Sequence, residues 1–174
     1  TEIYDPDFAA SLVAKTKKDL SFTLATAHTP DLVEIAETLK NSWSAVGFKV
    51  EVKTFPVGDL EQSVIGPRRY DAFLYGEEVI GKTPDPFAFW HSSQRSYPGY
   101  NIAMYANSKV DKLLESVRTE PDSGKREELY QNIQKEIKRD LPAVFLFSPH
   151  YLYAVPQKLG GLGTESINTG SDRF

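Results

Sequence analysis

Carboxylates, stiff prolines and large aromatics meet at one place in the sequence, the stretch YDAFLYGEEVIGKTPDPFAFW from Tyr70 to Trp90. Glu77 and Glu78 are the residues best suited to proton chemistry, because one carboxyl in an apolar wall can stay protonated while its neighbour stays ionised. Adjacent residues of an extended segment point to opposite faces, however, so the two are poorly placed to share a substrate. Binding a ligand cation through one of them asks less of the geometry, since a charge-assisted hydrogen bond already selects strongly. Solvated loop charges are the plain alternative. Asp85, held between Pro84 and Pro86, reads either as a ligand contact or as the centre of a rigid turn whose carboxylate satisfies nearby amides. Phe89 and Trp90 either line a mostly apolar pocket or pin the loop to neighbouring helices.

The other chemical candidates are thinner. His28, His91 and His150 lie far apart with no HExxH or paired-histidine spacing, so no metal site is expected. Ser92 and Ser93 follow His91 without the G-x-S-x-G elbow of a hydroxyl nucleophile. Gly76 and Gly81 make no phosphate-cradling pattern. Trp43 and Tyr130 fall on helix faces and read as core.

The strand expected at Asp71 to Tyr75 positions these residues. Its continuous apolar run, Ala72 to Tyr75, suits a strand covered on both faces of a mainly parallel sheet, and ligands bind at the carboxyl ends of such strands. Upstream, Asp5-Pro6 opens a short amphipathic helix carrying Phe8, Leu12 and Val13. Phe22 and Leu24 alternate within a half-buried strand from Ser21 to Ala25. Thr29-Pro30 starts a helix with Leu32, Ile35, Ala36, Leu39, Trp43 and Val46 on one face, ending at Gly47. FKVEVKT alternates strictly and reads as a strand with one wet face. A shorter helix over 59–65 precedes the Asp71 to Tyr75 strand, completing a β-α-β-α-β order. Beyond the loop, Asn107 or Ser108 caps a helix with Val110, Leu113, Leu114 and Val117. Pro121-Asp122 begins another with Leu129, Ile133 and Ile137, stopped at Leu141-Pro142. Two further apolar runs, Ala143 to Phe147 and Tyr151 to Val155, read as strands.

A length of 174 residues fits one domain with a real core. The net charge of −4, with lysines and arginines spread along the chain, lacks the basic footprint of a nucleic-acid binder. No apolar run approaches the ~18 to 20 residues that span a bilayer. The absence of cysteine excludes disulfides and thiolate chemistry but does not locate the protein. Thr1 is not a methionine, which leaves open a start inside a longer polypeptide.

Taken in order, YDPDFAASLVA, IAETLKNSWSAVGFKVEVK, YDAFLYG, PDPFAFW, YNIAMYANSKVDKLLE and REELYQNIQKEIKRDLPAVFLFSPHYLYAV resemble the bacterial extracellular solute-binding proteins of peptide and nickel importers. They cover most of residues 4 to 155. The resemblance implies an α/β fold, a periplasmic-binding-protein-like lobe with a doubly wound, mainly parallel sheet flanked by helices. Residues 1–156 would be the second, C-terminal lobe of a two-lobed protein, and 157–174 a crossover segment toward the missing N-terminal lobe. It implies a monomeric, extracytoplasmic, non-enzymatic component of an ABC importer, in the periplasm or anchored at the cell surface as a lipoprotein. Its partners would be a peptide or similar small solute and a membrane permease, with no cofactor, no catalytic residue, no metal and no nucleic acid.

The ligand-binding stretch the resemblance implies runs through Gly76, Glu77, Glu78, Val79, Ile80 and Lys82 to Asp85, Phe89 and Trp90. In peptide-binding members an aspartate after the YDAFLYG-like strand pairs with the ligand ammonium. That position falls at Ile80 or Lys82 here, so Glu77 or Glu78 would have to substitute, and Lys82 would favour an anionic group. Two rival readings stand beside this one: a small hydrolase using the loop carboxylates with His91, and a stand-alone module whose aromatic loop grips a protein partner.

Overall fold

The computed structural model describes residues 4–16, 18–76 and 85–148. The chain forms two compact units, Thr1–Glu77 and Glu78–Phe174, and the division falls inside the Glu77-Glu78 pair.

In the first unit α1 spans Pro6–Lys15, with the Asp5 side chain accepting the Phe8 amide at 2.8 Å as its N-cap. The strand β1, Ser21–Ala27, leads to α2, Pro30–Ala45, and then to β2, Lys49–Phe55. Strands β1 and β2 are parallel, with Ser21 opposite Lys49 and Ala27 opposite Phe55, as the strand-helix-strand order predicts. Gly47 turns the chain between α2 and β2 at φ +108°, a conformation L side chains avoid. Along β2 the lysines and Glu51 face water while Val50 and Val52 are half-buried. The third strand, β3, Ala72–Leu74, pairs parallel to β1, so the order is β2-β1-β3. Leu24, Ala36 and Leu74 centre the core, with Leu39, Trp43 and Val52 packed around them. Asp71 bolts the start of β3 to β1 by accepting the Thr23 amide and hydroxyl at 2.9 and 2.8 Å.

Two expectations change here. The strand read over Asp71 to Tyr75 is only Ala72–Leu74, at the edge of the described sheet, and its coverage is partial, with Ala72 and Phe73 half-buried and Tyr75 exposed. Asp71 is spent on the Thr23 bonds, and beyond Leu74 the chain leaves the ladder. Of the three strand residues only Leu74 is buried, while the Phe73 ring stacks between Tyr70 and Tyr75. The helix expected over 59–65 is a 3₁₀ turn, Val57–Asp59, running into one wide π-type turn, Glu61–Ile65. Leu60, Val64 and Ile65 are buried nonetheless, so the apolar pattern reported burial correctly and winding incorrectly.

The second unit begins, in its described part, with the single turn α3, Phe87–Trp90, and a 3₁₀ turn, Ser92–Gln94. Helices α4, Ser108–Thr119, and α5, Ser123–Asp140, pack on each other. Asn107 caps α4 through bonds from the Lys109 and Val110 amides, and Asp122 caps α5 through the Lys125 amide. Leu141, at φ 51°, ends α5 one residue before Pro142. Tyr105, Val110, Leu114, Val117, Ile133 and Ile137 form the core. The strand expected at Ala143 to Phe147 is absent. No strand lies beside this segment among the described residues of the unit, so it has no ladder to join, and Val144, Phe145 and Phe147 are exposed. The run from Tyr151 to Val155 lies outside the described residues.

Candidate functional site

The loop from Asp85 to Tyr105 carries most of the polar geometry of the second unit. Asp85 Oδ1 accepts the Phe87 amide at 3.1 Å and so starts α3. Its other oxygen lies 3.3 Å from Arg118 Nε, a half-exposed ion pair. The Arg118 guanidinium sits 4.5 Å above the Phe87 ring, which stacks in turn on His91 at 4.2 Å. Asp85 therefore performs the turn role read for it in sequence, and it anchors α3 to α4.

Trp90 stands edge-on to Tyr105, at 6.2 Å between ring centres, and the Phe145 ring lies tilted to it at 6.0 Å. It packs against the α4/α5 core, as a loop-pinning residue must. Phe89 faces Tyr100, 6.4 Å away, and Tyr100 is largely exposed. This places an aromatic surface on the loop. Gly76 is exposed at the end of the first unit, where an added Cβ would meet nothing within 4 Å. Glu77, Glu78, Val79, Ile80, Lys82 and His150 lie outside the described residues.

His91 is buried. Its Nδ1 accepts the Ser93 amide at 3.1 Å and lies 2.8 Å from Ser93 Oγ, which leaves the neutral ring its proton on Nε2. Nε2 lies 3.4 Å from Glu115 Oε1 and 3.9 Å from Asp111 Oδ1 without an aligned hydrogen bond to either. Asp111 is engaged elsewhere, accepting the Ser92 amide at 2.9 Å and the Ser92 hydroxyl at 2.6 Å. Serine, histidine and carboxylate thus come together, but as the cap of a 3₁₀ turn. Nδ1 is shared with a backbone amide and is no free base for Ser93. Among the described residues no group of three or more histidines and carboxylates could hold a metal ion.

Sequence reading passed over the residues that organise this loop. Asn101 is fully buried, and its Nδ2 donates to the carbonyls of His91 and Tyr105 at 3.1 and 2.9 Å while its Oδ1 accepts the Tyr105 amide at 3.0 Å. Gly99 passes so close to the Gln94 carbonyl that a Cβ there would collide with it. The signal was an amide inside the apolar window YNIAMY, two residues after a glycine. Tyr105 then donates its hydroxyl to Asp140 at 2.7 Å, where Asn107 and Arg139 also converge. Burial first, and then the Asp140 bond, push the Tyr105 hydroxyl up to about 12. Asp140 is held down to about 2 by the bonds from Tyr105, then Asn107 and Arg139. Between the two helices, Lys109 of α4 donates to the buried Glu136 of α5 at 2.7 Å, which lowers the Glu136 carboxyl below its ordinary range.

In the first unit an open depression of about 590 Å³ lies at the amino end of β1 and β2, among Phe22, Thr23, Phe48, Lys49 and Asp71. That is the end of a parallel sheet opposite to the one where ligands gather.

These elements define an α/β fold of the periplasmic-binding-protein kind, a parallel sheet flanked by helices. No family model matches the chain. Its curated and structural neighbours are the dipeptide-, oligopeptide- and nickel-binding substrate-binding proteins of ABC importers, which bind solutes and are not enzymes. The chain is 28% identical over 152 residues to the oligopeptide-binding protein AppA of Bacillus subtilis, covering 86% of this chain and 28% of AppA. It is 27% identical to di/tripeptide-binding protein 1 of Pseudomonas aeruginosa, over 80% of this chain and 27% of that protein. The solved structure of Bacillus subtilis AppA in complex with a nonapeptide superposes with a TM-score of 0.72 at 24% identity, covering 80% of this chain and 30% of that one. NikZ of Campylobacter jejuni, solved with Ni(L-His), gives 0.66 at 25% identity, over 80% of this chain and 31% of NikZ. The chain thus spans under a third of the length of these relatives.

Proposed function

We propose that this chain is the second, C-terminal lobe of an ABC-importer solute-binding protein and that it binds peptides or a similar small solute in a cleft between lobes. The observation carrying this reading is the 28% identity to an oligopeptide-binding protein along 86% of the chain, confined to 28% of that relative. Gly76 to Lys82 would offer backbone and acidic groups to the solute, with Glu77 or Glu78 taking a terminal ammonium. Phe89 and Trp90 would supply apolar surface, and Asp85 would hold the turn beneath them. The partners are the N-terminal lobe and a membrane permease, and the setting is extracytoplasmic, either in the periplasm or, with a lipid anchor, at the cell surface. Residues 157–174 would return the chain toward the first lobe.

Native mass spectrometry of the full-length gene product, purified from its own cells, tests this reading. A co-purifying peptide that is lost in the Glu77→Gln, Glu78→Gln double variant is the expected result. A full-length product that carries no solute and binds no peptide in titration would overturn the receptor reading. The 174-residue chain alone should bind far more weakly, since half a cleft leaves the solute in water.

A further inference from the structure

The aromatic pair Phe89-Trp90 sits on a helix of a single turn, which has no cooperative stability of its own. Something else must hold it. The residue after Trp90 is His91, whose carbonyl is fixed by Asn101, and the ring that Trp90 packs against belongs to Tyr105, whose amide and carbonyl are both fixed by Asn101. One fully buried side chain therefore ties the backbone on one side of the indole to the backbone beneath its partner ring. Every polar atom of that side chain is used, and all three bonds are to main chain, so they survive substitution of the residues they hold. Gly99 permits the closure, because the chain must pass against the Gln94 carbonyl for the Asn101 amide to reach it at 3.1 Å. At the far end, the Tyr105 hydroxyl is fixed on Asp140 at the last residue of α5.

We propose that Asn101 is a positioning residue for solute binding: by clamping His91 to Tyr105 it sets where Trp90 and Phe89 stand. The link to affinity rests on the receptor reading above, whereas the clamp itself does not. Asn101→Asp is the informative change, since it keeps the shape and turns the donor that faces two carbonyls into an acceptor. Ile133→Val, in the same core but without a bond to the loop, controls for lost stability.

The test uses the full-length gene product labelled with 5-fluorotryptophan, with the Trp90 resonance assigned by its loss in Trp90→Phe, and trialanine as the probe peptide in calorimetry. Asn101→Asp should move the Trp90 resonance and not that of Trp43, and should weaken trialanine binding roughly tenfold, the equivalent of one aromatic contact. Ile133→Val should do neither. Where Asn101→Asp does not fold, Gly99→Ala strains the same closure and is read in the same way. An unmoved Trp90 resonance in the folded variants, or a trialanine affinity equal to that of Ile133→Val, overturns the proposal. If unaltered protein fails to bind trialanine or any longer peptide, the receptor reading falls, and the Trp90 resonance still decides whether Asn101 positions the indole.

Discussion

Leu114 is where the packing of the second unit can be tested most sharply. It is fully buried, at the middle of α4, and belongs to the cluster with Tyr105, Val110, Val117, Ile133 and Ile137. Leu113, its neighbour in sequence, is only half-buried and lies at the margin of the same cluster. Truncating Leu114 to alanine removes three carbons, about 2.4 kcal/mol at ~0.8 kcal/mol for each buried methylene. A space lined by α4 and α5 side chains also remains, and two helices held by caps at Asn107 and Asp122 are slow to collapse into it. The total should be about 3 to 4 kcal/mol, inside the ~2 to 5 range for buried leucines. Leu113→Ala, half-buried, should cost about 1 to 1.5 kcal/mol on the same scale. Leu114→Met, which nearly conserves volume, should cost under about 1.5 kcal/mol. Urea unfolding, followed by tryptophan fluorescence in a Trp43→Phe background so that Trp90 reports on its own unit, measures all three. At a slope of ~1 to 3 kcal/mol per molar urea, the Leu114→Ala midpoint should fall by roughly 1 to 4 M. Equal losses for Leu113→Ala and Leu114→Ala would refute the assigned face of α4 and, with it, the core built on that face.

Two further outcomes follow from the same geometry. Gly47→Ala forces an L side chain to φ +108° and puts its Cβ 2.8 Å from Val13 Cγ1, so the first unit should lose about 2 kcal/mol in thermal unfolding monitored at Trp43. On the acid side, Asp140 is held at about 2 by its hydrogen bonds, and Asp71 is lowered by the Thr23 amide and hydroxyl. Both folded values lie below the unfolded ones, so their contribution is complete above the ordinary carboxylate range and is lost as pH falls toward 2. Urea midpoints measured from pH 5 to pH 2 should decline, and Asp140→Asn should flatten part of that slope. The Tyr105 hydroxyl has the opposite sign, its stabilisation being complete below about 10 and lost as pH rises through about 12.

Elements whose cause is local were legible in the sequence. Asp5-Pro6, Asn107 and Asp122 announce helices because a cap is a contact across three residues, and Phe48, Val50 and Val52 announce a strand because the alternation belongs to the chain itself. What failed depended on distant partners. Ala143 to Phe147 has the composition of a strand, but a strand exists only beside another, and composition does not say whether a neighbour is present. The 59–65 segment buries Leu60, Val64 and Ile65 without α-helical winding, because burial fixes which side chains turn inward and leaves the hydrogen-bond step open. The site divides in the same way. Asp85 as a turn former was readable from Pro84-Asp85-Pro86, whereas the aromatic cluster left Trp90 open between a pin and a pocket wall. Asn101 was not readable, since a buried asparagine has meaning only through the His91 and Tyr105 backbone it reaches.

On the proposed receptor reading, affinity and choice of solute would rest on different parts of the loop. Contacts from rings set on a clamped backbone require little reordering on binding, and a pre-organised surface of this kind supplies affinity without selecting one solute. Selection needs charge, and the charged candidates, Glu77, Glu78 and Lys82, precede Asp85 in the sequence, whereas Asn101 follows it. Changes at the clamp should therefore weaken all solutes by similar factors, because every solute would meet the same displaced rings. Changes at the acidic pair or at Lys82 should instead reorder preferences, separating peptides with a free amino end from their acetylated forms. A binding panel of trialanine and N-acetyl-trialanine across Asn101→Asp and Glu78→Gln would show that contrast as a uniform loss in the first variant and a changed ratio in the second. The same ratio in both variants would mean that clamp and charge are one device, and that the aromatic surface takes part in choosing the solute.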